Sequence, residues 1–377
     1  MRITRSVRKL EAYTPGEQPK AKNVVKLNTN ENPYPPSPAC AKVLKTFDLD
    51  RLRRYPDPEF SELRAALAKL NGTRPENVFV GNGSDEVLAV AAKTFVENDE
   101  AIGSLDPSYS LYKTLAAIRD VRWVGTEGQR PAEGQRSEVR GQRSNKGMSN
   151  HRCLTSDLEP QTSLFLWTNP NAPTGTFAEP EEIAAFAMRF PGVVIVDEAY
   201  ADFARANCMK LATAKANRNL LVMRTFSKSY SLAGLRVGYC VGPKDLIDAM
   251  YKVKDSYNVD AVAQQVALAA VRDQKWMKAN VAKVLATRAR TVAALESRGW
   301  DVLPSESNFI FAKPPEIQGK GKREKGKSAE VIFNSLRTRN IFVRYFRGPK
   351  TGDRIRITIG TDAQMKKLLA ALKEMGA

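Results

Sequence analysis

Short apolar runs recur through the first two-thirds of the chain: Val78–Val80, Leu164–Trp167, Val193–Val196, Leu220–Met223 and Val237–Val241. Consecutive apolar positions over so few residues read as strands buried on both faces, as in a parallel sheet covered by helices. Between the runs the spacing changes. Phe60, Leu63, Leu67 and Leu70, then Val87, Val90 and Ala91, recur at three- and four-residue intervals, the period of an amphipathic helix. The alternation predicts an α/β domain with a mostly parallel sheet. From about Asp260 the pattern shifts to a long helical stretch, Ala261–Arg298, followed by strand-like pieces at Ser307–Ala312, Ile341–Tyr345 and Arg354–Ile359. That predicts a smaller α+β domain. The expected division is 1–47 as an arm with part of the small domain, 48–258 as the large domain, and 259–377 as the small one.

Two segments break the pattern, 126–160 and 313–328. The first contains EGQRPAEGQRSEVRGQRSNKGMSNHR, with GQR three times and almost nothing apolar; the second contains KPPEIQGKGKREKGK. Such composition buries too little surface to order itself and is expected to form mobile surface loops. The net charge of +18 first suggests a nucleic-acid or membrane-surface protein. Two-thirds of that excess sits in Glu127–Arg152, Lys313–Lys327 and the arm through Lys26. Neither insertion interleaves aromatic residues with its charges, as single-strand binders do. Solvated basic loops are the simpler reading.

Four scattered cysteines (Cys40, Cys153, Cys208, Cys240) without CxxC spacing, and one histidine, His151, argue against a disulfide framework or a Cys/His zinc site. A Ser–His or Cys–His nucleophile would rest on His151 alone, inside the first insertion. No apolar run approaches the roughly 20 residues of a membrane span. The basic start, MRITRSVRKLEAY, lacks the apolar core of a secretory signal. A soluble cytoplasmic protein is expected.

Candidate chemistry collects where strands end. The run Val193–Val196 leads into Asp197-Glu198-Ala199-Tyr200, and a carboxylate at a strand's C-terminal end lies where open α/β folds bind ligands. Leu220–Met223 leads into Arg224-Thr225-Phe226-Ser227-Lys228. A lysine partly desolvated at such a position has a lowered pKa and can form a Schiff base with a carbonyl. Ser227 and Arg236 would flank it with a hydroxyl and a guanidinium, a pair suited to a phosphate. Gly81-Asn82-Gly83-Ser84-Asp85-Glu86 follows a strand and opens a helix, whose free amides can hold a phosphate. Its two glycines fall short of a dinucleotide fingerprint. Asp106-Pro107-Ser108-Tyr109 adds an aromatic ring, and Asn169–Gly175 another strand-end turn. Phosphate cradle, carboxylate, aromatic and lysine together suit pyridoxal 5′-phosphate.

The ordered set resembles the fold-type-I pyridoxal-phosphate aminotransferases, and more narrowly the histidinol-phosphate aminotransferase family. The match is carried by LNTNENPYPPSP (Leu27–Pro38), RYPDP (Arg54–Pro58), DEAYADF (Asp197–Phe203), TFSKSYSLAGLRVGY (Thr225–Tyr239) and RIRITIGT (Arg354–Thr361). The resemblance implies a large sheet domain with a small α+β domain, and a ping-pong exchange between histidinol phosphate and 2-oxoglutarate. It implies that Lys228 bonds the cofactor aldehyde and moves the Cα proton, Asp197 keeps the ring nitrogen protonated, and Tyr200 bonds the ring's 3-oxygen. Tyr109 would stack on the ring; Gly83, Ser84, Asp85, Ser227 and Arg236 would hold the phosphate. Tyr55 would reach that phosphate from the second subunit of a homodimer. Arg356 with Arg344 would clamp the substrate's anion, and Tyr13, Asn30 and Glu31 on the arm would close over it. One position departs from the family turn Asn-Asn-Pro-Thr-Gly: the second Asn is Ala172 here. Either Asn171 reaches the 3-oxygen from one residue earlier, or Tyr200 does so alone. Threonine-phosphate decarboxylase and aromatic aminotransferase remain alternatives within the family. A cofactor-free basic nucleic-acid-binding protein is the alternative from another class.

Overall fold

The computed structural model describes residues 3, 5–10, 16–19, 23–127, 158, 160–315 and 328–377. Tyr13, His151, Cys153 and nearly all of both basic insertions lie outside them. Among the described residues no helix is long and apolar enough to cross a membrane.

Seven strands form the larger sheet in the order Val78–Gly81, Gly238–Val241, Leu220–Thr225, Val193–Asp197, Thr162–Thr168, Ala101–Asp106, Arg122–Glu127. Gly238–Val241 runs antiparallel to both its neighbours, and every other pairing is parallel. The apolar runs work as two-faced strands because side chains alternate. Leu164, Leu166, Ile195, Leu221, Met223 and Cys240 pack on one face with Val87, Leu88 and Ala91 of helix Gly83–Phe95. Phe165, Trp167, Val194, Val196, Val222 and Tyr239 point to the other face. There the ring of Phe186, from helix Pro180–Arg189, sits 4.7 Å from that of Phe165, 5.1 Å from Trp167 and 5.4 Å from Phe190.

The C-terminal part builds an antiparallel sheet in the order Arg344–Tyr345, Ile355–Thr358, Phe309–Lys313, Asp301–Val302. Val25–Lys26 pairs in parallel with Ile341–Phe342, so the segment after the N-terminal arm is stitched to this C-terminal unit.

The structure differs from the sequence reading in three places. The stretch Ala261–Arg298 is two helices, Ala261–Arg272 and Gln274–Glu296, divided at Asp273. Asp273 leaves helical geometry (φ −106°, ψ 62°), and its carboxylate accepts from Trp276 N–H, as helix-capping aspartates do. Phe60 precedes helix Ser61–Asn71 rather than joining it, and Leu70 is exposed. The strand Arg122–Glu127 went unread, and Ala101–Asp106 was read only by its end before Tyr109. The first lies at the sheet edge with half its residues exposed, and the second is broken in composition by Gly103 and Ser104.

Phe186 is the centre of the aromatic cluster, so Phe186→Ala is expected to destabilise the fold by about 3–5 kcal/mol. The denaturation midpoint reads this; an unchanged midpoint would show that the cluster does not hold the helix to the sheet.

Candidate active site

Parallel strands deliver their C-terminal ends to one edge, and the sheet gathers the candidates there. In register, Thr168 lies beside Asp197, Asp197 beside Met223, and Gly81 and Thr225 flank Gly238. The turns after these strands carry Ser84 and Asp85, Ser108 and Tyr109, Asn171, Tyr200, and Ser227 with Lys228.

Asp197 is the most constrained of them. It is buried, its Oδ2 accepts from the Tyr112 hydroxyl at 2.8 Å, and its Oδ1 accepts from Ala199 N–H at 3.1 Å. Burial pushes its carboxyl up to about 6, against the pull of those two donors; the charge of Asp85 raises it further and that of Lys228 lowers it. Among the described residues it has no ion-pair partner. A buried carboxylate in that condition favours a cationic N–H placed against it. Its neighbour Glu198 is also buried but fully engaged: its Oε2 accepts from Arg224 Nε at 3.0 Å and Nη2 at 2.8 Å. Arg224 also pairs with Asp202 at 3.5 Å, and Asp202 accepts from Ser229 Oγ at 2.5 Å. This network ties the Asp197–Tyr200 turn to the segment bearing Lys228.

Lys228 is half-buried. Its Nζ donates to the Thr29 carbonyl at 3.2 Å and lies 5.7 Å from the centre of the Tyr200 ring. The Tyr200 hydroxyl accepts from Asn30 Nδ2 at 2.9 Å, which leaves its own proton to donate.

Two glycines shape the expected anion cradle. A Cβ on Gly238 would stand 2.5 Å from Ser84 N, and one on Gly83 (φ +81°) would stand 2.5 Å from Arg236 Nη2. Only glycines let the start of helix Gly83–Phe95, the strand and the guanidinium come so close. Arg236 itself takes a left-handed conformation (φ 56°), and its Nη2 meets Asp85 Oδ2 at 3.2 Å. Ser227 Oγ accepts from Thr225 Oγ1 at 3.0 Å, so its proton faces elsewhere.

The second sheet supplies two arginines. Arg344 and Arg356 stand directly opposite each other on adjacent antiparallel strands, hence on one face. Both guanidiniums lie over the Phe346 ring, at 5.4 and 5.1 Å, and Arg356 Nη2 donates to the Asn28 carbonyl at 3.0 Å. Like charges so placed repel unless an anion joins them.

The structure places five of the expected site residues as follows. Asn171 is engaged within the protein: its Nδ2 donates to the Pro107 carbonyl and to Thr174 Oγ1, and its Oδ1 accepts from Ser108, each at 3.0 Å. Its amide is occupied in stapling the turn. Asn30 is buried rather than poised over the site, because it accepts from Thr358 Oγ1 and donates to Tyr200; it positions that tyrosine. Glu31 pairs with Lys26 on its own segment. Tyr109 lies at the site's rim, its hydroxyl 3.3 Å from Asp85 Oδ1. Tyr55 is 79% exposed and stacks on Tyr257, with ring centres 4.4 Å apart. Sequence reasoning missed Tyr112, whose apolar helical surroundings look like ordinary core.

The family model described as aminotransferase class I and II matches residues 22–372. The chain is 38% identical over 371 residues to a histidinol-phosphate aminotransferase of Microcystis aeruginosa, covering 98% of this chain and 97% of that one. It is 40% identical over 376 residues to histidinol-phosphate aminotransferase 2 of Burkholderia mallei, covering 98% and 97%. The crystal structure of histidinol-phosphate aminotransferase from Sinorhizobium meliloti in complex with pyridoxal 5′-phosphate superposes with a TM-score of 0.84 at 25% identity, covering 100% of this chain and 97% of that one. With the strand-end lysine, carboxylate and anion cradle above, these likenesses identify the chain as a member of the class I and II aminotransferases, within the histidinol-phosphate aminotransferase family.

Proposed function

We propose that this protein exchanges an amino group between histidinol phosphate and 2-oxoglutarate, with pyridoxal 5′-phosphate as cofactor. The observation that carries the reading is the unpaired, buried Asp197 at the same sheet edge as Lys228. The names of the relatives support the substrate.

The residues fit the cofactor. Asp197 would hold the proton on the ring nitrogen, Tyr109 would pack against the ring, and the Tyr200 hydroxyl would donate to the 3-oxygen. The amides of Ser84 and Asp85, with Ser227 and Arg236, would hold the phosphate at the Gly83 helix start, where the helix dipole favours an anion. Arg236 would exchange its Asp85 partner for that phosphate. When bound, the cofactor supplies an aldehyde that bonds amines and a ring that accepts electrons from Cα. Lys228 Nζ would take the proton from the donor's Cα and deliver it to the carbon of the cofactor's aldehyde, on the far side of the transferred nitrogen, as a general base must from within hydrogen-bond reach. Arg344 and Arg356 would orient the substrate by its anionic group. The second half-reaction reuses the same residues on 2-oxoglutarate, whose carboxylates suit the same arginines.

We also infer a homodimer. Leu44, Leu49, Leu52, Tyr55 and Tyr257 are all exposed, and the first four lie within one short stretch of chain. An apolar surface of this kind suits a second copy of the chain, and Tyr55 would then reach the partner's phosphate cradle.

Offered with 2-oxoglutarate, the purified protein should turn over histidinol phosphate far faster than phenylalanine, and should convert threonine phosphate by neither transamination nor decarboxylation. Preference for either of the other donors would overturn the substrate assignment. Lys228→Ala should lower turnover by roughly 10²–10⁴-fold or more; near-normal turnover would refute the proton-transfer role. Mixing Lys228→Ala protomers with Tyr55→Ala protomers should restore activity that neither has alone, because a mixed dimer holds one intact site. No restoration despite subunit exchange would show that Tyr55 serves its own chain.

A further inference from the structure

Tyr112 belongs to helix Leu111–Arg119 and is fully buried. Its hydroxyl lies 2.8 Å from Asp197 Oδ2 and 2.5 Å from Thr168 Oγ1. A phenol has one proton, and an ionised carboxylate can only accept. With that proton given to Asp197, the Tyr112 oxygen must accept from Thr168. Thr168 in turn lies 3.1 Å from Ser108 Oγ, which also reaches Asn171 Oδ1. Three hydroxyls thus stand in line from the turn before Tyr109 to the carboxylate. The Tyr112 ring also meets the Tyr109 ring edge-on, with centres 5.7 Å apart and planes at 83°.

We propose that Tyr112 is a positioning residue that keeps Asp197 ionised and aimed at the cofactor ring, with Thr168 as the donor that orients the Tyr112 hydroxyl. The inference rests on the cofactor reading above, and it assigns a role to a residue that meets neither substrate nor cofactor. Its physical basis is the cost of a buried carboxylate. Asp197 is without a paired cation, so each donor aimed at it counts in full. Burial and the nearby charge of Asp197 hold the Tyr112 hydroxyl well above the usual phenol range, so it remains a donor at any working pH. A hydroxyl that accepts from one neighbour donates more strongly to the next, so Thr168 strengthens the Tyr112 bond to Asp197. The other groups acting on Asp197 are Ala199 N–H on Oδ1, Lys228, which favours the charged form, and Asp85, which opposes it.

The test uses the full chain and the variants Tyr112→Phe and Thr168→Val. Cofactor affinity is measured by titrating apoprotein with pyridoxal 5′-phosphate over a range of pH, following the visible absorption of the bound form. Losing the Tyr112 donor raises the pKa of Asp197, so the acid-side fall in affinity should begin at higher pH in Tyr112→Phe. At neutral pH its affinity should be roughly tenfold weaker, in line with loss of a hydrogen bond to a charged group. Thr168→Val should move both in the same direction by less. A role limited to packing would lower the melting temperature without moving the pH profile. If Tyr112→Phe fails to fold, Thr168→Val, which keeps the tyrosine, decides by the same shift. Wild-type profiles in the variants would overturn the proposal. Absence of cofactor binding by the wild type would instead overturn the cofactor reading itself.

Discussion

A carboxylate buried without a cation at the end of a central strand governs this molecule. Asp197 and Glu198 are adjacent and both buried, yet they meet opposite fates. Glu198 is neutralised internally by Arg224, and the pair ties two segments of the fold together. Among the described residues Asp197 receives only a phenol and an amide, and burial pushes its carboxyl up to about 6. Removing a charge from water is costly unless a partner is supplied. Within one dipeptide the chain supplies that partner for structure and withholds it for a ligand. The parallel sheet determines where this happens, because the strand ends bring Lys228, the Gly83 helix start and the Ser108–Tyr109 turn to the same edge.

The second sheet brings two like charges together. Arg344 and Arg356 stand opposite each other on one face, over the Phe346 ring. A buried carboxylate at the edge of one sheet and two facing arginines on the other suit a molecule with a cationic ring nitrogen and anionic groups. Asn30 joins the two regions. It donates to the Tyr200 hydroxyl of the large sheet and accepts from Thr358 of the small one, while its own carbonyl accepts from Asn308. Movement of one sheet relative to the other is thereby felt at Tyr200.

Much of this was legible before any coordinates. The runs VVIV and LLVM read as strands because they are apolar on both faces, and a strand's end places whatever follows it at a ligand edge. Asp197 and Lys228 were found in that way. Other features have no signal in one sequence. Tyr112 sits in a helix among Leu111, Leu115 and Ala116, and only its neighbour across the sheet makes its hydroxyl important. Asn171 was read as a ring ligand from its place in the turn, but its amide is consumed by partners that fold back from Pro107, Ser108 and Thr174. Asp273 divides a continuous helical pattern because a capping geometry outweighs the apolar period on either side. In each case the deciding partner lies in another turn or depends on local backbone geometry, which periodicity does not reveal.

The account turns on Asp197 being a charge held for a ligand, and the melting temperature of the Asp197→Asn protein measures this most directly. A carboxyl whose folded pKa is raised contributes stability below that pKa and loses it as pH rises through about 6. At about pH 8 the ionised wild-type carboxylate therefore burdens the free protein. Asp197→Asn should then melt no lower than wild type without pyridoxal 5′-phosphate, and should gain much less than wild type when the cofactor is added. A variant that melts well below wild type alone, yet gains as much from the cofactor, would contradict the account.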